Sequence, residues 1–160
     1  MTPERDAQLC AKYPKIFRDR NAPMQATCMC WGFECGDGWF DLIDTLCSVI
    51  QSHVDWAIRT QKSAFDRGEI SEADLVPEED MQVVAAQVKE KYGGLRFYVN
   101  GADDTVNGMI ATAESMSRRL CEECGKPGRP NKDGWVRTQC EECRSTFDRR
   151  RTEAWRKQEQ

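Results

Sequence analysis

The longest regular hydrophobic pattern in the chain runs over residues 37–62. At about 100° per residue, its larger apolar side chains fall within an arc of about 60°. They are Trp39, Ile43, Leu46, Ile50, Val54 and Ala57. Polar side chains occupy the opposite side, and Asp37 stands where an N-cap residue is expected. The pattern predicts one long amphipathic helix whose apolar stripe forms the spine of the core.

Residues 82–99 show the alternation that is typical of β-strands. The apolar positions on the first strand are Val84, Ala86 and Val88, and those on the return strand are Leu95, Phe97 and Val99. Gly93-Gly94 lies between them and suits a two-residue turn in which both central residues need positive φ. A helix over 82–91 is the competing interpretation, because Ala, Gln, Lys and Glu favour helices. The glycine pair and the β-rich return strand favour the hairpin.

Shorter patterns predict the remaining elements. Residues 3–20 are expected to form a short helix and a turn, because Pro14 interrupts their apolar stripe. Residues 24–36 alternate in a way that predicts a short strand. Helices are predicted over 103–120 and, at the end of the chain, over 144–160. The 103–120 helix has Asp103, Asp104 or Thr105 as its cap and Val106, Ile110, Ala113, Met116 and Leu120 as its apolar positions.

Four cysteines near the C-terminus have the spacing of a metal site. Cys121, Cys124, Cys140 and Cys143 form the pattern C-x2-C-x15-C-x2-C, which lies within the spacing of four-cysteine zinc sites. Several glycines and prolines between the two pairs predict a loop there. Four thiolates leave no open coordination position, so the expected Zn²⁺ is structural. Two disulfides or four free thiols are the alternatives.

These elements together predict an α+β fold. A small antiparallel β-hairpin or sheet packs on the amphipathic helices, and a zinc ribbon and a terminal helix follow at the C-terminus. We expect residues 1–119 to form the α+β body. Residues 120–160 are expected to form the zinc ribbon and a basic helix, docked on the body because the 103–120 helix leads directly into Cys121.

The charge of the chain is unevenly distributed. The net charge is −4 over 160 residues, with 23 Lys and Arg against 27 Asp and Glu. Residues 1–117 hold 11 basic and 19 acidic residues, whereas residues 118–160 hold 12 basic and 8 acidic ones. The acidic body argues against general coating of nucleic acid, but the basic C-terminal region can contact phosphate.

Nucleic-acid binding by this basic region is therefore one functional hypothesis. Its arginines and lysine can contact phosphates, and its tryptophans can stack on bases. The candidate contacts to nucleic acid or another partner are Arg118, Arg119, Arg129, Lys132, Trp135, Arg137, Arg149, Arg150, Arg151 and Trp155. Against this hypothesis stand the glutamates of both cysteine pairs, with which the arginines can instead form ion pairs, namely Glu122, Glu123, Glu141 and Glu142.

A second group of cysteines raises the question of a second metal site. Cys28, Cys30 and Cys35 lie close together in the sequence, and Cys47, Cys10 or His53 are the available fourth ligands. Their spacing matches no standard zinc pattern. Buried free cysteines that pack as small apolar residues are the favoured interpretation.

The sequence contains no recognisable catalytic motif. It has one histidine, His53, which is predicted to lie within a helix and has no nucleophile motif beside it. Phosphate-binding, dinucleotide-binding and zinc-protease motifs are not found. A metal-dependent enzyme built from scattered carboxylates is the third and least favoured hypothesis.

Three segments together resemble a family of small phage and prophage proteins of unassigned function. They are CGDGWFDLI at 35–43, VKEKYGGLRFYV at 88–99 and AESMSRRLCEECGKPG at 113–128. The resemblance spans most of the chain and implies an accessory protein with no catalytic residues to carry over. By analogy, such proteins often bind and block a host factor, including factors of host defence. The C-terminal part also resembles a generic zinc ribbon, which is a weak guide to function.

The leading hypothesis is therefore a phage-type accessory protein that binds a macromolecular partner, with a host protein as the favoured partner. The chain has no run of about 18 apolar residues and no apolar leader, so we expect no membrane partner. Nine cysteines without an export signal are typical of a reducing compartment, here the bacterial host cytoplasm. The sequence leaves the oligomeric state and the identity of the partner open.

Overall fold

The computed structural model describes residues 1–131 and 134–158 of the chain, with side chains described up to residue 151. It shows a mixed α+β fold, which confirms the predicted fold class. The helices are α1 (Pro3–Lys12), α2 (Phe40–Asp66), α3 (Glu78–Met81), α4 (Asp104–Ser117) and α5 (Glu141–Gln158). The strands are β1 (Phe33–Glu34), β2 (Val84–Lys91), β3 (Gly94–Asn100), β4 (Arg129–Pro130) and β5 (Thr138–Gln139). Short 3₁₀ turns occupy Cys28–Trp31, Asp37–Trp39 and Glu72–Asp74.

The main sheet has three strands in the order β1-β2-β3. The predicted hairpin is present, with β2 and β3 antiparallel, and the short β1 pairs parallel to β2. The hairpin turn lies at Tyr92-Gly93, with φ of 52° and 72°, because Lys91 pairs with Gly94. The prediction of a Gly93-Gly94 turn was therefore wrong by one residue. The first residue of the turn is a tyrosine in the left-handed region, which is uncommon for a residue with a side chain.

The alternation predicted along β2 is interrupted by a β-bulge. The pairing register shifts between Ala85 and Gln87, so Ala86 does not continue the buried row. Ala85 enters the core instead, and Val88 lies in the core as predicted. A bulge inserts one extra residue into a strand, which changes the face to which the following side chains point. The period of two that predicted Ala86 as a core residue cannot reveal such an insertion.

Contacts from other parts of the chain cover part of each side of the β2–β3 hairpin. The backbone amides of Leu95 and Phe97 on β3 donate to Ser117 Oγ at 2.8 Å and to Glu114 Oε1 at 3.1 Å, both on α4. On the other side, β1 pairs with Val88 and Lys89 of β2, and the Ala85 amide donates to the Ile16 carbonyl at 2.8 Å. Unpaired strand edges are the usual sites of strand addition. These contacts therefore restrict strand addition at the hairpin.

The core lies where α2, α4 and the N-terminal segment meet the sheet. The predicted stripe on α2 is largely confirmed, and Cys47 adds to it. The buried residues of α2 are Ile43, Leu46, Cys47, Ile50 and Val54, and Trp39 is fully buried just before them. Burying each large apolar side chain contributes about 1.5–3 kcal/mol. Ala57 is only half-buried, so the stripe ends one turn earlier than predicted.

Helix α4 has the predicted cap. The Asp103 carboxylate accepts a hydrogen bond from the backbone amide of Val106 at 2.8 Å, and His53 Nε2 on α2 lies 2.7 Å from the other carboxylate oxygen. These hydrogen bonds, with the one from Val106 as the main cause, hold the pKa of Asp103 below its usual range. His53 therefore supports the helix cap formed by Asp103.

Met116 of the same helix was predicted as a core position, but it is exposed, and Ser117 is buried in its place.

Three boundary predictions were wrong. Asp37 does not cap α2, because a 3₁₀ turn intervenes and its carboxylate accepts from the Thr2 amide at 2.7 Å. The strand expected within residues 24–36 is limited to β1, because Cys28–Trp31 form a 3₁₀ turn. The final helix starts before residue 144, at Glu141. Among the described residues, no helix combines the length and apolar character needed to cross a membrane.

Candidate metal centre

The four C-terminal cysteines converge on one point. The Sγ atoms of Cys121, Cys124, Cys140 and Cys143 all lie within 4.8 Å of one another. The Sγ atoms of Cys124 and Cys140 are 3.6 Å apart, much farther than the about 2.0 Å of a disulfide bond. All four cysteines are free. Two disulfides would join sulfurs in pairs, whereas here four sulfurs surround a common centre, so the group can hold a metal ion.

The first cysteine pair lies in a tight loop. The Cys121 amide donates to the carbonyl of Lys126 at 2.7 Å, and the Gly125 amide donates to the Cys121 carbonyl at 2.8 Å. These bonds turn the backbone sharply around the pair. Cys121 is buried and Cys124 is exposed, so the loop places one sulfur inside the molecule and the other at its surface. We call residues 121–125 the knuckle.

The second pair sits at the start of α5. Cys140 immediately precedes the helix, and the Cys143 amide in the first turn donates to Cys140 Sγ at 3.4 Å. This hydrogen bond is the main cause that lowers the pKa of Cys140 to about 7. The positive end of the helix dipole acts in the same direction. The pKa of Cys124 and that of Cys143 are instead raised, chiefly by burial, so these shifts favour the thiolate that a metal ligand requires at Cys140 only.

The donor set decides which chemistry the centre can support. Four sulfur atoms are soft ligands that suit zinc or iron, and no histidine or carboxylate belongs to the group. A metal held by four protein ligands has no free position for water or substrate. The arrangement therefore fits a metal that stabilises structure.

The knuckle packs directly against the backbone of the segment before α2. The Gly38 amide donates to the Glu122 carbonyl at 2.7 Å, and the Gly36 amide donates to Glu122 Oε1 at 3.0 Å. A Cβ added to Gly38 would lie 2.2 Å from the Cys121 carbonyl oxygen, and one added to Gly36 would lie 2.2 Å from that of Glu122. Only residues without a side chain permit this approach, so the two glycines form the seat of the knuckle.

Further polar contacts hold the C-terminal region against the body. Trp39 Nε1 donates to the carbonyl of Leu120 at 3.0 Å, which ties the start of α2 to the residue before the first ligand. Thr138 Oγ1 on β5 donates to the Gly93 carbonyl in the hairpin turn. Burial raises the pKa of Glu122, whose side chain points into this contact. The predicted division at residue 119 stays a prediction, but these bonds join the residues on either side of it.

Part of the predicted contact surface comes together in one cavity. Arg129, Trp135, Arg137 and Arg151 line a cavity of about 740 Å³ between the β4–β5 hairpin and α5. Arg144 and Phe147, which were not among the predicted contacts, line it too. We call this cavity the basic groove. Arg118, Arg119, Arg149 and Arg150 do not line it, and Lys132 and the side chain of Trp155 lie outside the described residues.

The glutamates beside the cysteines are mostly engaged elsewhere. Glu122 faces the body, and Glu142 pairs with Lys126 at 2.7 Å. Within residues 1–131 and 134–151, the expected pairing of arginines with these glutamates is found once, between Arg137 and Glu123 at 3.5 Å. The Arg137 guanidinium also lies 5.1 Å from the centre of the Phe147 ring.

The remaining cysteines do not form a second metal site in the described part of the chain. The only group of candidate ligands found there is the C-terminal one. Burial raises the pKa of Cys35 to about 12 and also raises that of Cys47. Burial is likewise the main cause that raises the pKa of Cys10 to about 12, and its thiol donates to Asp6 at 3.4 Å. Of the three cysteines predicted to pack as buried apolar residues, Cys35 is buried as predicted, whereas Cys30 is half-buried and Cys28 is exposed.

Several residues that shape the site were not predicted as part of it. The Gly36 and Gly38 seat lies within the CGDGW segment, whose two glycines around an aspartate are a signal of close backbone approach. Arg144 belongs to a basic helix, but its direction depends on where α5 begins. Lys89 and Tyr92 lie near Trp135 only because the hairpin turn meets the C-terminal region, a long-range contact that spacing cannot show.

Comparison with known proteins gives no match: no protein-family model, no curated protein and no solved structure matches the chain.

Proposed function

We propose that this chain is a phage-type accessory protein that acts in the host cytoplasm by binding a host protein, and that a structural Zn²⁺ on the four C-terminal cysteines holds its C-terminal region in place. The resemblance of three segments to small phage and prophage proteins supports the origin. The observation that carries the binding function is an apolar groove between α2 and α4.

Zinc is the metal that the donor set favours. Tetrahedral sites of four thiolates hold zinc or iron, and closed four-cysteine sites with loops of this length are typical of structural zinc. Structural zinc in small peptides has an apparent binding free energy of about 10–16 kcal/mol. That energy can order a region that buries few apolar side chains.

The apolar groove, which we call the helix groove, has a volume of about 510 Å³. Its apolar lining consists of Leu42, Leu46, Val49, Met109, Ala113, Met116 and Leu120. Val49 and Met116 are 42% and 48% exposed, although each lies on a helix that supplies the core. Exposed apolar surface of this kind marks interaction sites in soluble proteins. Methionines also adapt to the shape of a partner.

The surroundings of the helix groove indicate the chemistry of the partner. Asp41 lies at its rim, and residues 1–117 carry an excess of acidic over basic residues. We therefore expect a partner that inserts an apolar segment, such as one face of an amphipathic helix, flanked by basic residues.

The test compares two double variants with matched chemistry. V49D/M116D places charges in the helix groove, whereas V76D/M24D places the same charges at similarly exposed apolar positions outside it, where Val76 is 46% and Met24 63% exposed. Each metal-loaded protein is used to capture proteins from a bacterial lysate. Any protein captured by the wild type is then purified and its affinity measured by calorimetry.

We expect one captured protein to bind the wild type and V76D/M24D with similar affinity and V49D/M116D at least about tenfold more weakly, since a buried charge in an apolar contact costs more than about 1.4 kcal/mol. Equal affinity for all three proteins would show that the captured protein does not bind at the helix groove. Failure to capture any protein would contradict the proposed function.

A further inference from the structure

The basic groove has a strong excess of positive charge. Four arginines line it, namely Arg129, Arg137, Arg144 and Arg151, against a single aspartate, Asp148. Arg129 and Arg144 also line an adjoining cavity of about 600 Å³, so both lie where two concave surfaces meet. In a chain of net charge −4, such a local reversal of sign attracts anions to this surface.

Two of these arginines form no ion pair within the described residues, although Glu141 and Asp148 line the adjoining cavity with them. Ion pairs engage Arg137 with Glu123 and Arg151 with Asp148. Within residues 1–131 and 134–151, no ion pair forms at Arg129 or Arg144. A guanidinium that is not held in an ion pair is available for a phosphate, which it can bind through two parallel hydrogen bonds.

An aromatic ring stands at the edge of the basic groove in a braced loop. Trp135 is 77% exposed. Its backbone carbonyl accepts from Asn131 Nδ2 at 3.0 Å, and Asn131 Oδ1 accepts from the Arg137 amide at 2.6 Å. Asn131 thus holds the backbone on both sides of Trp135 in place. An exposed ring on a braced loop loses little conformational entropy when a flat partner stacks on it.

The basic surface continues on the far side of Trp135. A cavity of about 460 Å³ there is lined by Lys89, Lys91, Tyr92 and Trp135. Glu90 is the acidic residue of this cavity, and its carboxylate accepts from the Gly93 amide at 2.6 Å, which directs it to the turn. Two exposed aromatic rings therefore lie between cationic side chains from two separate parts of the chain.

We infer that this surface binds single-stranded nucleic acid. Trp135 stacks on an unpaired base, Arg129 and Arg144 contact phosphates on one side, and Lys89 and Lys91 contact the backbone on the other. Alternation of cationic groups with exposed rings is the arrangement that single-strand binding requires. In a duplex the bases stack on one another and offer no free face to Trp135. The inference concerns a different surface from the helix groove and does not rest on the proposed host-protein binding.

The test measures binding of the full-length, metal-loaded protein to labelled oligonucleotides by fluorescence anisotropy. Mixed-sequence single-stranded DNA, single-stranded RNA and duplex DNA of about 20 nucleotides are compared between about 50 and 200 mM salt. We expect both single strands, or one of them, to bind more tightly than the duplex, and the affinity to fall as salt rises. The DNA and RNA samples show which nucleic acid is preferred.

Matched variants separate the groove from general charge. R129A/R144A removes two groove arginines, and R149A/R150A removes two exposed arginines of α5 that do not line the groove. Both variants change the net charge equally. We expect the first to weaken single-strand binding at least about tenfold and to reduce the salt slope by about 1.4, since each phosphate contact contributes about 0.7. The second should change affinity less than about threefold.

Two further variants examine the aromatic contact and the folding of the groove. W135A should weaken binding about tenfold, and W135F should retain most of it, because any aromatic ring can stack on a base. R129K/R144K keeps the charge and should restore part of the affinity lost in R129A/R144A. Metal content measured on each variant shows whether the site is intact.

Three results would overturn the inference. The first is the absence of single-strand binding by the metal-loaded wild type at the lowest salt. The second is duplex binding as tight as single-strand binding. The third is an equal loss of affinity in R129A/R144A and R149A/R150A while both retain the metal. None of these results bears on the helix groove, so the two proposals fail separately.

Discussion

The body and the C-terminal region of this protein are held together by different forces. In residues 1–117, a cluster of buried side chains from α1, α2, α4 and the sheet forms a continuous apolar core. In the described part beyond residue 120, the only buried apolar residues are Cys121 and Cys140, both of them metal-ligand candidates. The other buried residues there are polar, namely Glu122, Thr138 and Gln139. One region is stabilised by many small contributions, and we propose that the other depends mainly on one metal centre.

The two regions should respond differently when one side chain is removed. An apolar core loses a few kcal/mol when one side chain is truncated, because neighbouring contacts remain. A metal centre loses most of its binding free energy when one of four ligands is removed. Because Gly36, Gly38 and Trp39 join the knuckle to the body, the state of the metal centre is also felt at the start of α2.

The largest expected effect comes from removing a ligand. C121S should lose the bound metal, and residues 120–151 should lose protection from hydrogen exchange, since few apolar contacts remain to order them. Exchange should also rise at residues 36–39, which contact the knuckle. C28S, a change at an exposed cysteine outside the cluster, should keep the metal. If C121S kept its full metal content and its protection from hydrogen exchange, the four cysteines would not be what orders the C-terminal region.

The next effect is expected where the two regions meet. W39A should lower the free energy of unfolding by about 3–5 kcal/mol, because it empties a fully buried site and leaves the Leu120 carbonyl without its partner. W56A, which truncates a 58% exposed tryptophan on the same helix, should change it by less than about 0.5 kcal/mol. Denaturant unfolding followed by circular dichroism makes the comparison, and equal effects would contradict the burial of Trp39.

A smaller effect tests the close approach at the seat of the knuckle. G38A should destabilise the protein by about 1–3 kcal/mol, because its Cβ overlaps the backbone of Cys121 and Gly125. G108A has open space around its Cβ within α4 and should stabilise the protein by about 0.5–1 kcal/mol. The same glycine-to-alanine change is thus expected to have opposite signs. If G38A left the free energy of unfolding unchanged, the knuckle would not pack closely against this segment.

The smallest effect lies within the body. D103A should lower the free energy of unfolding by about 1 kcal/mol, since it removes the N-cap hydrogen bond to Val106. H53A removes only the second partner of the same carboxylate and should cost less. Thermal unfolding of the metal-loaded proteins ranks the two. An H53A cost larger than that of D103A would indicate that His53 has a role beyond supporting the cap.

The sequence predicted the elements better than their ends. The α2 stripe, the hairpin and the Asp103 cap follow from local spacing and side-chain chemistry, and the structure contains all three. The turn at Tyr92-Gly93 and the bulge near Ala86 depend on register, which is set by pairing between strands. Spacing within one strand does not contain that information.

The candidate site was predictable in its ligands but not in its surroundings. The four cysteines were found from their spacing alone, because two-residue gaps bring sulfurs to a common point. The glycine seat, the Trp39 contact and the basic groove all join residues that are far apart in the sequence. The meeting of Lys89 with Trp135 likewise requires the hairpin turn and the C-terminal region to be adjacent in space.

X-ray absorption spectroscopy, combined with elemental analysis of protein purified without added metal, tests most directly whether a sulfur-bound zinc organises the C-terminal region. We expect one zinc per chain, surrounded by four sulfur atoms at about 2.3 Å. A protein that contains no metal, or a metal bound mainly by nitrogen or oxygen, would contradict the claim that a sulfur-bound zinc organises the C-terminal region.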